Sequence, residues 1–131
     1  MSEGRRPIET GAAPAAIGPY SQAVASGGLL FCSGQIPLDP ASGELVGETP
    51  AEQATQCLRN LEGVCEAAGT VLGRALRLTV YTTHLEQFAE INEAYASFFS
   101  EEPPARAAVG VEDLPKGAMV EIDAIVALDL G

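Results

Sequence analysis

TPAEQATQCLRNLEGVCEAAG, running from Thr49 to Gly69, carries the clearest structural signal in the chain. Thr49 can cap a helix, Pro50 suits the first helical position, and Glu52 completes a capping box. Cys57, Leu58, Leu61, Val64, Cys65 and Ala68 then fall on one helical stripe. Gly69 stands where a C-terminal glycine cap belongs. The pattern predicts a helix over 49–68 with one apolar face to bury.

Downstream, Leu76 to Thr82 reads as a strand with Leu76, Leu78 and Val80 on one face. Thr83-His84-Leu85-Glu86 reads as a second capping box. It opens a helix with the stripe Phe88, Ile91, Tyr95, Phe98 and Phe99, which Pro103-Pro104 stops. Ala105 to Val111 and Met119 to Leu128 are the last strands, joined by a loop holding Pro115-Lys116-Gly117. Upstream, Tyr20 to Ala25, the turn Ser26-Gly27-Gly28 and Leu29 to Ser33 form a hairpin signal. Gly11 to Pro19 and Pro37 to Gly47 are loops, Ile8 to Thr10 is a short extra strand, and residues 1–6 are a loose end. The order β-β-α-β-α-β-β predicts one α+β domain spanning 1–131. Its architecture is a single mixed sheet with two helices packed on one face. In the last strand Val120, Ile122, Ala124, Val126 and Leu128 point one way. The other side carries Glu121 and Asp123, then Ile125 and Ala127. With no helix left to cover that partly apolar face, a homo-oligomer is expected.

Composition narrows the function. Of 131 residues, 7 are Lys or Arg and 18 are Asp or Glu, a formal charge of -11. Such a charge disfavours nucleic-acid backbones and anionic membrane surfaces, and points to a small substrate held by one or two groups. Cys32, Cys57 and Cys65 form no CxxC or Cys/His cluster. Cys57 and Cys65 share the helical stripe, Cys32 lies in an apolar strand, and free thiols fit a reducing, cytoplasmic setting. No signal peptide or membrane span is read. With His84 the single histidine and the thiols scattered, no metal site is expected, and without a GxGxxG or Walker loop no cofactor is expected either.

Few residues remain for chemistry. Arg106 stands in a strand of small residues, with Ala108 and Gly110 on its face. It reads equally as a clamp for a flat anion such as a carboxylate or as half of a structural ion pair. Glu121 reads as a group that orients water or passes protons, or as a solvated residue on the strand's outer face. Asn92, on the apolar stripe of the second helix, either finds buried partners or lines a pocket. Tyr20 follows the Gly18-Pro19 turn and either sits at a cavity mouth or packs.

Three stretches together resemble the RidA/YjgF family, the reactive intermediate deaminases: Ala15 to Ala23, Ser33-Gly34-Gln35-Ile36-Pro37, and Asn92 to Phe99. The resemblance is strongest in Pro104-Ala105-Arg106-Ala107-Ala108, Leu114-Pro115-Lys116-Gly117-Ala118 and Val120 to Ala124, and it runs from about residue 8 to 128. It implies a chorismate-mutase-like fold and a homotrimer with sites at the subunit clefts. It implies hydrolysis, without cofactor, of 2-iminobutanoate and 2-iminopropanoate (or its enamine, 2-aminoacrylate), the unstable products of pyridoxal-phosphate-dependent dehydratases. By the family pattern Arg106 clamps the substrate carboxylate and Glu121 orients the attacking water. Backbone groups at Gly34 and Ala108 hold the planar acid, and Tyr20, Ser33 and Asn92 shape the pocket. Many members carry Cys where this chain has Ala108, which excludes thiol modification there. The strand Arg77 to Tyr81 also departs mildly from the usual pattern. Two rival readings are a non-enzymatic trimeric metabolite binder or chaperone-like protein, and a ribonuclease or translation inhibitor.

Overall fold

The computed structural model describes residues 4–128. It contains six strands and two helices: β1 (Arg6–Ile8), β2 (Ala23–Ser26), β3 (Leu29–Gln35), α1 (Pro50–Ala67), β4 (Ala75–Thr82), α2 (Phe88–Ala96), β5 (Ala105–Gly110) and β6 (Val120–Ala127). The strands form one sheet in the order β1-β2-β3-β6-β4-β5. Every pairing is antiparallel except β4 with β5, the two strands that α2 connects. This is the expected α+β architecture, including the extra strand at the start.

α1 forms for the local reasons its sequence supplies. Thr49 Oγ1 accepts from the Glu52 amide at 3.1 Å, and Gly69 follows the helix end at φ +89°. The Glu52 carboxylate reaches one residue further back than a standard box, accepting from the Glu48 amide at 2.8 Å. The helix lays Cys57, Leu58, Leu61, Val64 and Cys65, all fully buried, against Leu30, Leu78, Val80, Val120, Ile122 and Val126 of the sheet. Each large aliphatic side chain so buried contributes roughly 1.5–3 kcal/mol.

Three local expectations are corrected. Leu76 does not share a face with Leu78 and Val80, because a register irregularity between Ala75 and Arg77 turns it out, and it is 49% exposed. The second capping box does not form. His84 Nδ1 pairs with Thr83 Oγ1 at 2.8 Å, Leu85–Gln87 make a short 3-10 turn, and α2 starts only at Phe88. The first strand is Arg6–Ile8 rather than Ile8 to Thr10, because Thr10 is bound instead by the Gln22 side chain, and Arg6, expected in a loose end, pairs with Ala25 in the sheet.

Alternation along β6 leaves Glu121, Asp123, Ile125 and Ala127 half-buried on the side without helices. Phe31, opposite Ile125, is 44% exposed on the same side. β5 lies at the edge of the sheet with five of its six residues exposed. A flat alanine-rich edge beside an open apolar face is a surface that proteins ordinarily cover.

Candidate active site

A cavity of about 540 Å³ opens between the loop before β2, the strand β3 and the Pro115–Gly117 turn. Tyr20, Ser33, Gly34 and Glu121 line it, with Ile17, Leu38 and Lys116 among the other walls. A break in register between Cys32 and Gln35 marks where β3 leaves its regular pairing with β6, and Gly34 falls there. The Glu121 side chain lies directly against the Gly34 backbone. A β-carbon at position 34 would overlap Glu121 Oε2 and stand 3.0 Å from its carboxyl carbon. Glycine is therefore a condition for the carboxylate to occupy this place.

The other walls are tied down. Ser33 Oγ donates to the Ser21 carbonyl at 2.6 Å, and the Ser33 amide donates to the Gln22 carbonyl at 3.0 Å. The Tyr20 hydroxyl accepts from the Ile17 amide at 3.3 Å, with the ring half exposed at the mouth. Burial pushes the Glu121 carboxyl above its usual 4.5, and the like charge of Asp123 adds to the effect. Lys116 occupies a left-handed conformation at φ +60°, which costs energy for a residue with a side chain.

Arg106, Asn92 and Ala108 lie elsewhere. In the sheet, β6 and β4 stand between β3 and β5. Arg106 Nη1 donates to Asn92 Oδ1 at 2.6 Å, and its guanidinium carbon sits 5.1 Å from the Phe88 ring centre and 4.8 Å from that of Tyr95. Asn92 and Ala108 are exposed. The sequence left an anion clamp and an ion pair open for Arg106. The partner it has is a neutral amide, so its charge is not cancelled by that contact. Asn92, weighed as a residue with buried partners or at a pocket, bonds to the exposed Arg106 and lines a shallow hollow on α2 with Ala89 and Glu93. One chain thus gathers Tyr20, Ser33, Gly34 and Glu121 in a cavity and presents Arg106, Asn92 and Ala108 as a separate group at the far side of the sheet.

Three buried amides that sequence reading passed over shape the cavity. Gln22 is bonded to the Thr10 amide and to the carbonyls of Thr10, Ala13 and Pro14, which pins the loop carrying Pro14, Ala15 and Ile17. Asn60 donates to the carbonyls of Ile36 at 3.3 Å and Leu38 at 3.0 Å, fixing the opposite wall. Gln53 joins the Met119 amide to the Gly47 carbonyl. Their signal was available: Asn60 and Gln53 are polar residues on the buried side of α1, and such residues are there to satisfy backbone. Cys32, Cys57 and Cys65 are buried as free thiols. The Cys65 thiol beside Cys32, together with burial, pushes Cys32 up, and burial first and the Glu121 charge second raise Cys57. Both are therefore poor nucleophiles. Among the described residues no three or more His, Cys, Asp or Glu side chains converge as metal ligands, and no helix is long and apolar enough to cross a membrane.

Known proteins share this chain's sequence and fold. The profile of the family described as Endoribonuclease L-PSP matches residues 10–128. The RutC family protein y4sK of Sinorhizobium fredii is 53% identical over 122 residues, covering 93% of this chain and 97% of that protein. The human 2-iminobutanoate/2-iminopropanoate deaminase is 45% identical over 121 residues, covering 92% and 88%. Among solved structures, RidA from the Antarctic bacterium Psychrobacter sp. PAMC 21119 superposes with a TM-score of 0.90 at 44% identity, over 94% of this chain and 99% of that one.

Proposed function

This chain belongs to the endoribonuclease L-PSP family, the RidA/YjgF group, and from that membership we propose that it hydrolyses short 2-imino acids, or their enamine tautomers, to 2-oxo acids and ammonia. The observation that carries the reading is the pair of incomplete groups on one chain: a carboxylate seated in a cavity against Gly34, and a guanidinium whose partner is neutral. The first has the Lys116 ammonium on its wall but no guanidinium fork to grip a carboxylate at two points, and Arg106 of the second lies outside that cavity. Two neighbouring copies of a homotrimer would supply both to each cleft. The open sheet face and the exposed β5 edge are the surfaces available for that contact.

In this site Arg106 grips the substrate carboxylate through two parallel N–H···O bonds. A charge-assisted bond contributes roughly 1.5–3 kcal/mol, enough to dominate the affinity for so small an acid. Amide groups at Gly34 and Ala108 hold the acid in plane, while Tyr20, Ser33 and Asn92 shape the space around it. The imine carbon is already electrophilic, so the protein's part is to position and polarise. Water held by Glu121 adds to that carbon, and Glu121 takes a proton from the water oxygen. Glu121 returns that proton to the nitrogen of the carbinolamine formed from the protonated imine. The C–N bond breaks as the hydroxyl oxygen forms the C=O bond and gives its proton to Glu121, and ammonia leaves with the 2-oxo acid. A carboxyl whose pKa is raised by burial is well matched to this proton traffic. The net charge of -11 favours a small acid at one arginine over an RNA backbone.

The test couples an amino-acid dehydratase to the purified protein and follows the imine by semicarbazide trapping. The expected result is faster imine loss, abolished in Arg106→Ala with the oligomer intact. Ligand binding without faster ammonia release would favour a metabolite binder. RNA cleavage that survives Arg106→Ala would favour neither.

A further inference from the structure

We infer that Phe88 and Tyr95 are positioning residues for Arg106, an aromatic cradle on α2 that fixes the plane of the guanidinium before any ligand arrives. The inference rests on the reading of Arg106 as the carboxylate clamp and adds what makes that clamp rigid. Phe88, Asn92 and Tyr95 are spaced by four and three residues, so they form one row along α2. Arg106 reaches that row from the neighbouring strand β5, which is exposed.

An exposed arginine left to itself samples many rotamers, and binding must then stop that motion. The bond from Nη1 to Asn92 holds one nitrogen only and leaves the plane of the group free to swing. The two rings supply what is missing, with the guanidinium carbon 5.1 Å from one ring centre and 4.8 Å from the other. At those distances the ring faces attract the cation. With Nη1 engaged, the remaining N–H groups of the fork stay available for a carboxylate.

A second observation shows that the ring of Tyr95, rather than its hydroxyl, is what the fold uses here. Tyr95 is 5% exposed, and among the described residues its hydroxyl has no hydrogen-bond partner. A buried orphan hydroxyl is a cost, which the fold tolerates to keep a large ring against both Arg106 and Phe99. Phenylalanine at 95 should therefore serve as well.

The experiment compares Phe88→Leu, Tyr95→Leu and Tyr95→Phe by steady-state imine hydrolysis and by the Arg106 Nε–H resonance in NMR relaxation. Each leucine variant should raise KM about threefold to tenfold with kcat nearly unchanged, the scale of one cation–π contact. It should also turn the Arg106 Nε–H from ordered to mobile. Tyr95→Phe should retain the KM and the ordered signal of the parent protein. Parent-like KM with an ordered Arg106 in both leucine variants would overturn the inference. If Tyr95→Leu fails to fold, Phe88→Leu decides the question, since Phe88 is only half-buried. An active Arg106→Ala protein would remove the clamp reading, and the relaxation data would still decide whether the rings order the guanidinium.

Discussion

At the scale of single residues, the contact between Gly34 and Glu121 sets the shape of the cavity. Any side chain at 34 must displace the carboxylate, and because Glu121 Oε2 is the end of a flexible side chain the fold itself can adjust. Gly34→Ala is therefore expected to melt close to the parent protein while losing most of its imine hydrolysis, as measured by thermal unfolding and the coupled assay side by side. The charge environment gives a second expectation. Burial first, and Asp123 second, raise the Glu121 pKa, so the carboxyl stays protonated until the pH passes that raised value. Activity that needs the ionised form then appears only above it. Asp123→Asn removes the like charge and lowers the Glu121 pKa, and the acidic limb of the kcat profile should move to lower pH. An unmoved limb would mean that Glu121 does not set it. Much of this residue set was legible: Arg106 among alanines and Glu121 between core residues stand out in one dimension. That the Glu121 carboxylate requires a glycine from another strand did not, because only long-range pairing of β3 with β6 brings them together.

At the scale of elements, local chemistry was a good guide where it acted alone and a poor one where tertiary partners intervened. Thr49, Pro50 and Gly69 delimit α1 as their types dictate, and the two remote strands from Ala105 and Val120 fall within a residue or so of the pattern. The box at Thr83 to Glu86 failed because Thr82 Oγ1 already accepts from the His84 amide at 3.0 Å and Thr83 Oγ1 turns to the His84 ring. Leu76 was misassigned because alternation does not survive a bulge. α1 does more than fill the core. Gly63 lets it approach the Ala12 carbonyl so closely that a β-carbon there would collide with backbone oxygen. This holds in place the loop that continues into the cavity wall at Pro14, Ala15 and Ile17. Gly63→Ala should lower stability by about 1–3 kcal/mol in urea unfolding, in spite of alanine's better helix propensity, and should raise KM as that wall shifts. A stabilised variant with unchanged KM would show that the loop is not held from α1.

At the scale of the whole molecule, the sheet order decides what one chain can do alone. Inserting β6 and β4 between β3 and β5 puts the proposed water-handling carboxylate and the proposed carboxylate clamp in separate groups. The residue pattern carried the half-apolar face that asks for a partner, visible in Ile125 and Ala127, while a site at the subunit clefts was implied only by the family resemblance, since strand order is no property of any local segment. The direct test of a site shared between copies is subunit mixing. Arg106→Ala and Glu121→Gln proteins, each inactive alone, are unfolded together and refolded as mixed oligomers. Random pairing of neighbours then rebuilds an intact Arg106–Glu121 cleft at about a quarter of the sites, and roughly that fraction of the parent rate of imine hydrolysis should return. A mixture that refolds and assembles as the parent does, yet stays as inactive as its two components, would contradict the account.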